Sequence, residues 1–123
     1  MEKGNEYIKK KFDLEDRTYE FANNCKEFLK KADRSIHNIE YYKQLIRSPG
    51  SVAANFIEAN ESFSQTDFAH RIKICRKESK ESRLWLKLLD LSEILESQRN
   101  VLIQEATELM RIFGATLEKV KNN

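Results

Sequence analysis

Helix breakers are scarce in this chain: proline occurs once and glycine three times in 123 residues. Strand-like alternation of apolar and polar residues is missing throughout. Cysteine occurs twice, as Cys25 and Cys75. Neither sits at CxxC or other metal-ligand spacing, and both fall at apolar positions of helical patterns, so buried reduced thiols are expected rather than a disulfide or ligand pair. His37 and His70 have no Cys or His at ligand spacing, so no metal site and no cofactor are expected. There is no glycine-rich phosphate loop and no Ser-His-Asp arrangement, so the reading is of a protein that is not an enzyme. No stretch approaches the roughly 20 apolar residues of a membrane span. The first eleven residues are charged and lack the apolar run of a signal peptide, so a cytoplasmic address is expected by default and no membrane partner. Excess charge of one sign is lacking too: 22 basic and 20 acidic residues leave +2, so bulk charge does not argue for a nucleic-acid partner.

What is present is helix. The hydrophobic fraction is 40% and the charged fraction 34%, a mixture that suits long solvated helices. Residues 1–14 carry mixed charge and are expected to form a flexible leader, with one domain over 15–123. A first helix is expected from about Glu15 to Ala32, with the stripe Phe21, Cys25, Phe28, Leu29 and Ala32. A second runs from near Ser35 to Asn60 with two stripes. One is Ile36, Ile39, Tyr42, Ile46, Ala53 and Ile57; the other is Tyr41, Leu45, Val52 and Phe56. Pro49 removes a hydrogen bond to the Leu45 carbonyl, but the apolar pattern resumes beyond it, so a helix kinked near Pro49 is expected rather than two helices.

Ser64 is the expected N-cap of a third helix, from about Gln65 to Leu91. Phe68, Ile72, Cys75, Ser79, Ser82, Leu86 and Leu89 alternate steps of three and four, a heptad-like seam whose small serines let a neighbouring helix approach. After a turn at Ser92–Ser97, a fourth helix spans about Arg99 to Lys121 with the seam Leu102, Ala106, Leu109, Phe113, Leu117 and Val120. Four amphipathic segments with short links predict an all-α, antiparallel up-down four-helix bundle.

Two helices carry more apolar surface than one buried face requires. On the third, Ile74, Trp85 and Leu88 lie within about a sixth of a turn, away from the seam. A homo-oligomer is therefore expected, with Phe56, Ile74, Trp85 and Leu88 near the contact. Incidental exposure of apolar side chains is the competing explanation.

The stretch Ser51-Val52-Ala53-Ala54-Asn55-Phe56-Ile57-Glu58-Ala59 resembles the signature S-I-P-A-N-I-A-E-G. Downstream, Ser64, Asp67, Phe68, Ile72, Ile74, Glu81 and Leu86 match the accompanying third-helix pattern. Both belong to the bacterial four-helix-bundle proteins named after the 23S rRNA intervening sequence, of which the accessory protein of diversity-generating retroelements is a relative. The resemblance implies a four-helix protomer assembled into a ring-like pentamer. For the retroelement relative it implies binding of nucleic acid and, where the gene is retroelement-linked, of a reverse transcriptase. The chain departs from the signature at Ala53, where the family has proline, and at Ala59, where it has glycine.

Ser51, Asn55 and Glu58 share one helix face, and Glu81 could face them from the third helix. A buried hydrogen-bond network that fixes helix register is expected here, ahead of a catalytic carboxylate pair.

The chemically suggestive surface is basic. Lys73, Arg76, Lys77, Lys80, Arg83 and Lys87 fall within about a third of a turn of the third helix. Between Asp67 and Asp90 there are seven basic and four acidic residues, so this segment is +3 and the rest of the chain −1. Such a stripe could lie along an RNA or DNA backbone. The alternative is a solvated face that Glu78 and Glu81 partly neutralise. No aromatic residues interleave with the basic ones, so base stacking is not expected. Two readings stay open: a homo-oligomeric adaptor for RNA or DNA, and a structural or protein-interaction module that binds no nucleic acid.

Overall fold

A computed structural model of the chain describes the backbone of residues 2–121 and the side chains of residues 14–121. It contains helices α1 (Glu2–Leu29), α2 (Ile39–Asn60), α3 (Gln65–Leu88) and α4 (Glu96–Lys121), with a 3₁₀ turn (Glu93–Leu95) leading into α4. Sequential helices pack on each other, and α4 closes more lightly back onto α1. The result is an all-α up-down bundle with antiparallel neighbours. The flexible leader expected over 1–14 is helical backbone from Glu2 onward, the first part of α1; the side chains of residues 1–13 lie outside the described residues.

The core follows the seams. Phe21, Cys25, Phe28 and Leu29 of α1 meet Leu45, Val52 and Phe56 of α2, Ile72, Cys75 and Leu86 of α3, and Leu102, Ala106, Leu109 and Phe113 of α4. The two stripes of α2 part company here. Leu45, Val52 and Phe56 turn inward, whereas Ile39, Ile46 and Ile57 remain exposed, as does Ile36 ahead of the helix.

α2 continues unbroken through Pro49, which is itself buried. The apolar residues on either side, Leu45, Val52 and Phe56, enter the same core, so burial holds the helix together where one hydrogen bond is missing. Beside it, Ser48 Oγ lies 2.8 Å from Ser82 Oγ. Ser79 and Ser82 each donate to the carbonyl four residues back, at 2.8 Å. The small hydroxyls thus satisfy themselves while α2 and α3 approach closely.

Both ends of α1 differ from the sequence expectation of Glu15–Ala32, since the helix runs Glu2–Leu29, and three further boundaries differ as well. α2 begins at Ile39 rather than near Ser35. The intervening Asn38 is 1% exposed and clamps two loops: its amide donates to Asp33 O at 3.0 Å and Asp90 O at 2.7 Å, and its carbonyl accepts from Asp90 N at 2.8 Å. α3 stops at Leu88, three residues early, because Leu89 turns extended. The Arg99 guanidinium then donates to Leu86 O at 3.1 Å and Leu89 O at 2.6 Å. It thereby supplies partners for carbonyls that a helix C-terminus leaves open. α4 starts three residues ahead of Arg99, because the 3₁₀ turn fills part of the expected link. The cap at Ser64 is as expected, with its hydroxyl accepting from Asp67 N at 3.1 Å.

Both cysteines are fully buried and unpaired. Burial pushes both thiols up, Cys75 to about 12. A thiol whose folded pKa exceeds its unfolded value favours the folded state fully below the unfolded pKa, and that contribution is lost as pH rises through the folded one. Alkylation by iodoacetamide at neutral pH is therefore expected to be negligible in the native protein and to reach two sites in denaturant. Rapid native labelling would contradict the burial.

Gly114 lies within α4, half-buried, and a Cβ built there meets only the Arg76 side chain, Cδ at 3.8 Å and Nη1 at 4.0 Å, ordinary contacts. Gly114→Ala is expected to raise stability by about 0.5–1 kcal/mol, because alanine loses less backbone entropy in a helix interior. Denaturant unfolding measures it; a loss of stability would mean the site is tighter than its geometry.

Candidate nucleic-acid interface

α3 places the six basic residues on its outer side, away from the seam. Lys73, Arg76, Lys77, Lys80 and Lys87 are exposed and Arg83 is half-buried. The two acids expected to neutralise them are engaged elsewhere. Arg47 of α2 reaches across with Nη1 3.2 Å from Glu78 Oε2 and Nη2 3.0 Å from Glu78 Oε1. Its Nη2 also lies 3.7 Å from Glu81 Oε1. Glu78 is only 5% exposed, and these hydrogen bonds hold the Arg47 guanidinium above its ordinary pKa, against desolvation. Of the stripe, Lys77 alone has an acid within 4 Å among the described residues, Glu78 at 3.9 Å. Arg83 donates to Thr107 Oγ1 of α4 at 3.2 Å. The face is thus cationic because α2 draws its acids to the opposite flank.

The four residues expected to form one network divide. Asn55 donates to Ser51 O at 2.9 Å and Ser51 Oγ at 3.1 Å, and accepts from Arg71 Nη1 at 3.0 Å. Glu81 belongs to the Arg47 cluster instead. Glu58 is exposed, and its side chain has no partner among the described residues. The expectation of a single buried network is corrected accordingly: Arg71, not a carboxylate, answers Asn55 from α3. The helical pattern contained Arg71 but gave no sign that it would face α2.

The expected contact residues also separate. Phe56 is 7% exposed and its ring lies 5.9 Å from that of Phe113. It is a core residue and is withdrawn from the contact set, because a side chain already packed inside its own protomer presents no surface. Trp85 is half-buried between α2 and α3 and stacks on Tyr41, with ring centroids 6.1 Å apart. Its indole nitrogen is buried and has no hydrogen-bond partner among the described residues. Ile74 is half-buried and Leu88 exposed, with Leu84 exposed one turn before it. The larger apolar face lies on α2, where Ile46 is 52% and Ile57 51% exposed. These isoleucines, with Ile39, form the stripe that sequence periodicity identified but did not assign to the outside.

A groove runs between α1 and α4, lined by Phe21 and Leu102 together with Glu20, Asn24, Asn100 and Gln104. Arg17 bridges it, with Nε 2.7 Å from Glu105 Oε2 and Nη2 2.8 Å from Glu108 Oε1. Hydrogen bonds from Gln104 and then Arg17 hold Glu108 below the usual carboxylate range. This arrangement stabilises a carboxylate; it does not prepare a proton donor. Among the described residues no three or more His, Cys, Asp and Glu side chains gather as metal ligands. No helix among them is long and apolar enough to cross a membrane.

No curated protein matches the chain. A solved structure does: a protein of unknown function from the S23 ribosomal protein family of Bacteroides thetaiotaomicron. It is 25% identical, has a TM-score of 0.71, and the match covers 85% of this chain and 95% of that one. The family model described as 23S rRNA-intervening sequence protein matches residues 10–115. The basic outer face of α3 and the exposed stripe of α2 are therefore surfaces on a member of a defined family: the chain belongs to the 23S rRNA-intervening sequence proteins.

Proposed function

We propose that the protein is a non-catalytic homo-oligomeric adaptor that binds RNA or DNA through its phosphate backbone, using the outer face of α3. The observation that carries this is the division of charge around Arg47: Glu78 and Glu81 turn toward α2, and the cations of α3 are left facing solvent. Phosphate contacts by Lys and Arg give affinity without sequence readout. The count of copies implied by the family resemblance is five. A cyclic ring needs two different patches on each subunit. The exposed isoleucines of α2 and the Ile74, Trp85 and Leu88 edge of α3 are the two assigned to it. A ring repeats the basic face in every subunit and raises avidity.

The test is a salt titration of binding to a labelled nucleic acid, on protein whose mass is measured by light scattering. Affinity is expected to fall steeply with salt, and the fourfold variant Lys73→Gln, Lys77→Gln, Lys80→Gln, Lys87→Gln is expected to flatten that slope. Each true phosphate contact accounts for about one unit of it. Helicity is expected to persist, since glutamine is a good helix former. Equal binding by wild type and variant would reduce the face to a solvated surface. No binding at low salt would leave a structural or protein-interaction module, and a particle of 14.5 kDa would remove the oligomer.

A further inference from the structure

The basic face does not end with α3. Two contacts fix how it meets α4: Arg83 donates to Thr107 Oγ1 at 3.2 Å, and the Arg76 side chain lies over Gly114, its Cδ 3.8 Å from where a Cβ would stand. Residues 76 and 83 are seven apart, and so are 107 and 114, so the antiparallel helices run in register across two turns, about 10 Å at 1.5 Å per residue. Arg111 lies between the two contact points on α4. It is four residues from Thr107 and three from Gly114, on the same helix face at 100° per residue. Its side chain is exposed and has no acid within 4 Å among the described residues, although Glu108 one turn before it lies close enough to feel its charge. Gly114 matters because it offers no side chain: it leaves the groove open at the level where Arg76 crosses it.

We infer that the phosphate-binding element is the outer groove between α3 and α4, and that Arg111 of α4 completes a row of three guanidinium groups with Arg76 and Arg83. This rests on the nucleic-acid reading above and goes beyond it, because the sequence places the site on one helix and the structure draws a second helix into it. Guanidinium groups suit the task, since each can donate two parallel hydrogen bonds to phosphate oxygens. Three of them, at intervals of about 5 Å along the groove, recur at the scale of a turn of helix and can follow successive phosphates of a flexible strand. Lys73, Lys80 and Lys87 of α3 flank the row as point charges. The ligand class is a single-stranded phosphodiester chain held by its backbone. Among the described residues the groove between Arg76 and Arg83 offers no aromatic platform for bases, so its preference is for phosphate spacing rather than for sequence.

The experiment compares Arg111→Gln with Lys119→Gln, which removes the same charge from the same helix on its α1 side. Binding of a labelled uridine homopolymer is followed against salt, and mass is measured alongside. Arg111→Gln is expected to lower the log–log salt slope by about one unit and to weaken binding several-fold at low salt, with mass and helicity unchanged. Lys119→Gln is expected to leave the slope where it was. Adding Arg76→Gln to Arg111→Gln is expected to remove a further unit. If wild type binds and the Arg111 and Lys119 variants behave alike, the groove is overturned while the adaptor reading stands. If wild type does not bind, both fall. Inorganic polyphosphate is expected to displace the homopolymer, because the contacts are to phosphate alone; failure to compete would overturn the assignment to the backbone.

Discussion

Phe56→Ala is expected to lower the stability of the folded protein by about 3–5 kcal/mol, the cost of emptying a large buried aromatic position. Whole domains are stable by only about 5–15 kcal/mol, so this single change removes much of what holds the bundle together. The ring is 7% exposed and lies 5.9 Å from Phe113, which is fully buried. Its loss takes away apolar burial and an aromatic pair worth about 0.5–1.5 kcal/mol beyond area. The neighbouring Ile57 is half exposed, and Ile57→Ala is expected to change protomer stability little. Any effect there should vary with protein concentration, because a contact between copies contributes by mass action. Urea unfolding followed by circular dichroism, with light scattering on the same samples, separates the two. Were Phe56 a contact between subunits, its replacement would change the mass and spare the protomer.

That pair of neighbours shows where sequence reasoning reached and where it stopped. Periodicity found both stripes of α2, Ile39–Ile46–Ile57 and Leu45–Val52–Phe56, because each repeats at helical spacing. It could not choose which faces inward, since both are apolar. The choice is made by α3, whose Ser82 meets Ser48 and whose Cys75 thiol donates to the Val52 carbonyl. Those are contacts between residues 23 to 34 positions apart. The seams of α1 and α4 were legible because each has a single apolar face, and a single face can only turn inward. The seam of α3 was legible because its steps of three and four continue from Phe68 to Leu89, whereas Ile74, Trp85 and Leu88 form a shorter second group. The basic stripe was legible for the same reason, as a set of like charges at helical steps. Its electrostatic state was not. Glu78 and Glu81 sit among the cations in sequence, yet Arg47 holds both from another helix. Arg111 was invisible as a partner of the stripe, because only the register of α4 against α3 brings them together.

Asn38→Ala is the second large effect, and no local pattern announces it. The side chain is 1% exposed and makes three hydrogen bonds, one to Asp33 and two to Asp90, which is 52 positions away. It ties the link between α1 and α2 to the link between α3 and α4, so both loops close the same end of the bundle. Alanine removes three bonds and leaves the Asp90 amide and two carbonyls short of a protein partner at a part-buried site. A buried polar group left unsatisfied costs about 1–3 kcal/mol, and partial relaxation toward water lowers the sum, so a loss of about 2–4 kcal/mol is expected. Asn38→Asp is the sharper comparison. It keeps an acceptor for the Asp90 amide but turns a carboxylate toward two carbonyl oxygens, so it is expected to destabilise more than alanine near neutral pH. Lowering the pH should recover part of that difference, because a protonated carboxyl can donate to one of the carbonyls. Urea midpoints of the three proteins at neutral and acid pH decide the matter. If Asn38→Ala unfolds at the wild-type midpoint, the two links are not held together by this side chain, and the end of the bundle is closed by the core beneath it alone.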